Sequence, residues 1–305
     1  MPELPDIEVY LDALRRYVVG RRLERIRLAS PFLLRSVEPP IPTAEGRRLR
    51  EVRRLGKRLV LALDGGLSLV LHLMVAGRLR WREAGVKIPR KLGLAAFDFR
   101  HGSLLLTEAG SKKRASLYLV EGEEALAQHD PGGLEVLVAD LATFRTALER
   151  ENHTLKRALT DPRILAGIGN AYSDEILHRA RLSPFRQTRQ IDEQEVGRLF
   201  VAARKVLTEW TERLKAQVGD GFPEKVTAFR PGMAAHGRFG KPCPVCGSPI
   251  QRVVSTETEA NYCPGCQTGG RILADRVLSR LLKGDWPRRL EELEERLPAR
   301  TSRPG

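Results

Sequence analysis

A chain of 305 residues, 42% hydrophobic and 30% charged, is long enough for two domains with cores of their own and is not the composition of a disordered protein. No apolar run approaches the roughly 20 residues that span a bilayer. The acidic start lacks the basic and apolar stretches of a signal peptide, so a cytoplasmic location is expected. The net charge of +14 favours a polyanionic partner, nucleic acid first and an anionic membrane surface second, although an arginine-favouring genome gives the same composition.

Residues 5–18 (PDIEVYLDALRRYV) space their apolar positions as an amphipathic helix does, with Pro5 in its first turn. From about 21 to 120 the pattern changes to short β-rich runs. RLVLAL, LSLVLHLMVAG, LAAFDF, SLLLTEA and ASLYLV are separated by turns such as DGG and RHG, which predicts a β-sandwich or barrel-like domain. QHDPGGLEVL, with Pro131, Gly132 and Gly133, reads as an interdomain linker. Beyond 138 the spacing predicts helices in ADLATFRTALERENH, around AGIGNAYSDEILHRARLSP and in EQEVGRLFVAARKVLTEWTERLKA. A turn-rich stretch, GDGFPEKVTAFRPGMAAHGRFG, leads to the cysteines, and a charged tail over 285–305 is expected to be disordered. The fold class is therefore α+β and multidomain: an N-terminal β domain over 1–130, a helical domain over 131–240 and a cysteine module over 241–275.

Three constellations carry chemistry. CPVC and CPGC place Cys243, Cys246, Cys263 and Cys266, all the cysteines of the chain, as two Cys-x-x-Cys turns. Such turns present four thiolates to one tetrahedral Zn²⁺, with a hairpin between the knuckles. Two disulfides are the alternative, which a reducing compartment disfavours. Gly167, Ile168 and Gly169 form a tight turn before a helix that begins at Asn170. The exposed N–H groups of such a start suit a phosphate, while the same glycines also serve plain close packing. Finally, Pro2 follows the initiator methionine and Glu3 follows Pro2. Removal of Met1 leaves a secondary amine, partly unprotonated near neutral pH, that attacks an anomeric carbon to give an iminium ion directly. Glu3 is then placed to move protons. A Met-Pro start alone is common and carries no such meaning.

MPELPDIE, LGKRL around Lys57, HLMVAGRL, GIGNAYSDE, HGRFGKPCPVCG and YCPGCQ occur in the order seen in the Fpg/Nei (formamidopyrimidine-DNA glycosylase, endonuclease VIII) family, and the resemblance runs from residue 2 to about 270. It implies an N-terminal β-sandwich, a helical domain with a helix–two-turns–helix motif and a C-terminal zinc ribbon. It also implies a monomeric, nucleoid-associated bifunctional glycosylase and abasic-site lyase of base-excision repair, acting on damaged double- or single-stranded DNA with one structural Zn²⁺. The damaged base is flipped out before excision. By motif, Pro2 is the Schiff-base nucleophile, Glu3 the acid/base residue and Lys57 a phosphate contact and proton donor in elimination. Without the resemblance Lys57 reads as a surface lysine between strands. His72 matches a histidine near the DNA backbone and is otherwise a satisfied strand histidine. Asn170 matches the phosphate-binding asparagine, Glu175 a carboxylate that organises the same region, and Lys156 a lysine near the flipped nucleotide.

The chain departs from the family where lesions are read. The arginine usual five residues before the third cysteine is Thr258, flanked by Glu257 and Glu259. That leaves δ-elimination without its family residue, and Arg271, just past the last cysteine, is a candidate substitute. Val75 stands at the methionine wedge position, with Met74 one residue early and so expected on the opposite strand face. EAGSKKR, bearing Lys112, Lys113 and Arg114, replaces the segment that supplies the arginine and phenylalanine wedges. The loop that covers 8-oxoguanine is altered in QVGDGFPEKVTAF, and Asp6 replaces a glutamate. Together these imply retained chemistry with changed lesion reading: weaker action on 8-oxoguanine in duplex, better action on abasic sites, oxidised pyrimidines or single strands. The alternatives are a damage- or structure-specific DNA-binding protein with weak or no base excision, and a zinc-ribbon RNA-associated protein, which leaves the first three residues unexplained.

Overall fold

The computed structural model describes residues 1–110, 112–254, 259–273 and 287–292. Most of the tail over 285–305, together with Glu257 and Thr258, lies outside the described residues. Two compact units divide the chain: Met1–Leu137 with Pro162–Ile168 and Leu207–Ala228, and Val138–Asp161 with Gly169–Val206 and Phe229–Gly305.

The first unit opens with α1 (Leu4–Tyr17). Ile7, Tyr10, Leu11 and Leu14 recur at helical spacing and all are buried, so one face of α1 enters the core. Its start is fixed by Asp6, whose carboxylate accepts the Glu3 N–H at 2.9 Å, with Pro5 in the first turn. Two four-stranded antiparallel sheets follow. One orders β1 (Arg25–Leu28), β6 (Gly93–Phe99), β7 (Gly102–Glu108) and β5 (Gly77–Arg82). The other orders β2 (Leu49–Leu55), β3 (Arg58–Leu63), β4 (Leu67–His72) and β8 (Ser116–Glu121). Leu61, Leu69, Leu71, Leu117 and Leu119 of the second sheet join Phe97, Leu104 and Leu106 of the first and the apolar face of α1 in one core. Each such leucine contributes about 1.5–3 kcal/mol by leaving water.

The β4–β5 connection corrects one expectation. Met74 has φ +51° and sits with Val75 in a turn between the strands, so the two do not lie on opposite faces of a strand. The turn closes tightly at Gly77, where a Cβ would lie 2.2 Å from the Leu73 carbonyl oxygen. Beyond β8 and α2 (Gly122–Ala127), the glycine-rich segment is tied down. Leu134 N–H donates to Ile164 O, and Ala166 N–H donates to Leu134 O, both at 2.9 Å.

The second unit contains α3 (Leu141–Glu149), capped by the Asp140 carboxylate on Thr143 N–H, α4 (Leu155–Thr160) with Thr154 as its cap, and α5 (Asn170–Ala180). α5 ends where Arg181 turns left-handed. α6 (Glu193–Val218) runs through the division between units. The final element group is the antiparallel hairpin β9 (Gln251–Val254) and β10 (Glu259–Tyr262), followed by α7 (Pro264–Gln267).

Candidate active site and metal centre

In the first unit, Pro2 is buried and Glu3 is only 2% exposed, so the chain start is held inside rather than fraying. Two tethers hold it. Glu3 is capped by Asp6, and Leu4 N–H donates to the Gly167 carbonyl at 2.9 Å. Gly167 has φ +80°, and a Cβ there would come within 2.8 Å of the Leu4 side chain, so glycine is required for this approach.

Lys57 follows the left-handed Gly56 in the tight β2–β3 turn. Arg54 braces that turn: it donates to Gly56 O at 2.9 Å, to Glu8 of α1 at 3.0 Å, and to both carboxylate oxygens of Glu135 at 2.9 and 2.5 Å. The guanidinium thereby fixes α1, which follows Glu3, against the turn that carries Lys57. Lys57 is half-buried. Burial holds its proton affinity below the ordinary lysine range, opposed by the charge of Glu3. The Met1 amine is likewise lowered by burial; Glu3 and Asp6 oppose this, while Arg78 and Lys57 add to it. The charge of Glu3 thus acts on both the chain terminus and Lys57. His72 ends β4 opposite Arg58 and Ser116. Burial first, then Arg58 and Lys57, lower its pKa to about 4, so it is a neutral imidazole at physiological pH.

Lys156, Asn170 and Glu175 belong to the second unit. Lys156 is only 8% exposed; its ammonium donates to Asn170 O at 2.7 Å and to Asp174 Oδ1 at 2.5 Å. Asp174 is fully buried. It also contacts His236 Nδ1 at 2.8 Å and accepts from the Asn261 amide N–H and side chain at 3.1 and 3.0 Å. Glu175 accepts the backbone N–H groups of Ala234, Ala235 and His236 at 2.7, 2.8 and 2.9 Å. Asn170 occupies the first position of α5. Its buried side-chain oxygen has no partner; since an amide oxygen only accepts, a phosphate at this helix N-terminus would be met by the Asn170 side-chain NH₂ and the first backbone N–H groups of α5.

Sequence reasoning singled out Lys156, Asn170 and Glu175 but missed Asp174 and His236, which join them. Arg54 was missed in the same way. Asp174 sits four residues after Asn170, a spacing that puts both on one helix face. That signal was legible, but the burial that makes it decisive was not.

The four cysteines converge. Cys246 and Cys263 Sγ lie 3.3 Å apart, and Cys243 and Cys266 Sγ 3.9 Å apart, close to the ~3.8 Å expected of sulfurs each about 2.3 Å from one tetrahedral ion. All are free thiols rather than disulfides. The two knuckles flank β9 and β10 as expected, and the site holds one structural zinc. His178 approaches the same cluster, its Nε2 3.2 Å from Cys243 Sγ.

Three family models match in chain order: the formamidopyrimidine-DNA glycosylase N-terminal domain over 1–119, the formamidopyrimidine-DNA glycosylase H2TH domain over 133–219, and the zinc finger found in FPG and IleRS over 240–269. A formamidopyrimidine-DNA glycosylase of Thermus thermophilus is 36% identical over 284 residues, 88% of this chain and all of that protein. The crystal structure of MutM (Fpg) from the same species superposes with a TM-score of 0.72 at 33% identity, covering 87% of this chain and 98% of that one. A complex of Lactococcus lactis Fpg with abasic-site DNA shares the fold at 23% identity and TM-score 0.77, covering 87% and 99% of the two chains. The chain belongs to the formamidopyrimidine-DNA glycosylase family and is a DNA glycosylase of base-excision repair, in a family whose members also carry abasic-site lyase activity.

Proposed function

We propose that the chain excises damaged bases and cleaves the resulting abasic strand through an iminium intermediate on Pro2. The observation that carries this is the buried chain start, where the charges of Glu3, Asp6 and Lys57 act on the terminal amine. With Met1 removed, the terminal amine is that of Pro2, a buried residue, and burial of an amine favours its unprotonated, nucleophilic form. It attacks C1′ of the damaged nucleotide and the glycosidic bond breaks, the base leaving with a proton. Glu3 protonates O4′ as the sugar ring opens, giving the iminium. Loss of a C2′ proton then expels the 3′ phosphate by β-elimination, and water releases the enzyme. Lys57 contacts phosphate and supplies a proton in elimination. His72, neutral, offers a donor toward the DNA backbone. Asn170 takes a phosphate at the start of α5, with Glu175 holding the segment 234–236 and Lys156 holding α5.

The lesion-reading elements support the altered specificity. Val75 is 57% exposed at the tip of the β4–β5 turn and is shorter than a methionine wedge. Lys113 donates to Glu108 O, and Glu108 accepts the N–H groups of Arg114 and Ala115, so the replaced wedge segment is pinned back on β7. Incision of matched abasic, oxidised-pyrimidine and 8-oxoguanine oligonucleotides, single- and double-stranded, tests this reading. Fast 8-oxoguanine release with strong duplex preference contradicts the altered specificity. Tight binding of abasic DNA with neither base release nor incision makes the chain a binding module instead.

A further inference from the structure

α5 presents Asn170, Asp174 and His178 at intervals of four residues, one stripe along one helix face. At its N-terminal end stands Asn170, whose buried side-chain oxygen has no partner. At its middle, Asp174 accepts two hydrogen bonds from Asn261 of β10. At its far end, His178 Nε2 lies 3.2 Å from Cys243 Sγ, with the two residues 5% and 3% exposed. Nothing in the family assignment gives His178 a role.

We propose that His178 is part of the zinc centre as a hydrogen-bond donor: its Nε2–H donates to the Cys243 thiolate, and this bond makes metal retention depend on the helix that begins at Asn170. The inference rests on the metal centre and not on the glycosylase mechanism.

Two arguments favour a donor over a fifth candidate ligand. A zinc-bound cysteine is a thiolate, which only accepts, so the imidazole nitrogen facing it carries the proton. In addition, a nitrogen at about 2.0 Å and a sulfur at about 2.3 Å from one tetrahedral ion stand roughly 3.5 Å apart. The observed 3.2 Å suits an N–H···S bond, although it departs from ligand spacing no more than the Cys246–Cys263 sulfurs at 3.3 Å do. Cys246 lies 3.3 Å from Cys263 and can supply the fourth sulfur, while His178 shares a 4.8 Å cluster with Cys243, Cys263 and Cys266.

Four thiolates around one Zn²⁺ leave a net charge of −2 that needs donors. Val245 N–H supplies one to Cys243 and Cys266 N–H one to Cys263, both at 3.4 Å. His178 is the side chain that adds to them from a different element. Donors of this kind orient metal ligands and are worth about 10–100-fold in metal affinity. A parallel tether runs from Gln267 of α7, which donates to Leu182 O just past the end of α5 and accepts the Cys263 N–H, both at 2.8 Å.

The test uses zinc-loaded full-length protein and the variant His178→Phe, with the rate of zinc transfer to a chromophoric chelator as readout. Transfer at least about tenfold faster in the variant is expected; rates within twofold of each other overturn the proposal. Cobalt-substituted samples separate donor from ligand: both proteins should keep a four-thiolate ligand-field spectrum, and a change of band pattern in His178→Phe makes His178 a ligand and overturns the donor assignment. Two-bond proton–nitrogen correlation on the wild type needs no variant to fold. It should show the proton on Nε2, and an unprotonated Nε2 overturns the proposal. Wild-type protein that carries no zinc would sink the metal centre itself, and the proposal with it.

Discussion

The reactive cluster of the first unit and the Asp174 cluster of the second treat charge in opposite ways. In the first, the terminal amine, Lys57 and His72 are each enclosed and each pushed toward the neutral form, chiefly by burial. In the second, Lys156, Asp174, His236 and Glu175 are buried more completely, yet each meets fixed partners at 2.5–2.9 Å. Amines meant to form bonds or exchange protons gain from incomplete compensation, because burial lowers their proton affinity toward the neutral, reactive form. Groups meant to hold a shape gain from full compensation, because an unpaired buried charge is strongly destabilising.

That contrast can be broken most severely at the metal. Chelation of the zinc should unfold the cysteine module and loosen the Asn261–Asp174 contacts, since a structural zinc contributes on the order of 10 kcal/mol to such a module. Hydrogen exchange at Asn261 and at the start of α5 should rise, with β3 and β4 unaffected. Next in size, Asp174→Ala should cost about 3–5 kcal/mol in denaturant unfolding by stranding the Lys156 ammonium.

The lysines sharpen the contrast further. Lys156→Met should destabilise the protein by leaving Asp174 short of a cation. Lys57→Met should leave stability unchanged or raised while lowering incision of abasic DNA by about 10²–10⁴-fold. Similar stability losses in both would remove the distinction.

A smaller effect concerns pH. His72 takes up its proton near pH 4 in the folded chain and near 6.5 in the unfolded one. Between those values the unfolded state binds more protons, so stability rises with pH across this window and is lost as pH falls through it. His72→Gln should flatten that part of a stability-versus-pH curve. Smallest of all, Arg50→Ala, which removes the surface pair with Asp64, should leave the denaturant unfolding curve unchanged, because solvent screens such a pair.

Much of this was legible from residue types and spacing. α1 was readable because Ile7, Tyr10, Leu11 and Leu14 repeat at helical period, and β3, β4, β7 and β8 because glycine-bearing turns bound apolar runs. The zinc ligands were readable because cysteine is scarce and their spacing is restrictive. What escaped was the partnership between distant residues. Arg54 and Glu135 are 81 positions apart, and Asp174 and Asn261 are 87 apart; no local pattern announces either pair. Met74 escaped for a different reason: a non-glycine residue at φ +51° is rare, and strand alternation was extended through a turn.

The central claim is that the buried chain start is the reactive group. Borohydride reduction in the presence of an abasic-site oligonucleotide tests it most directly, comparing the wild type with Pro2→Gly and with a form that retains Met1. The account predicts a covalent protein–DNA adduct from the wild type that is lost when Met1 is retained and greatly reduced in Pro2→Gly. No adduct from folded, zinc-loaded wild type, or an equal adduct from the form retaining Met1, would contradict it.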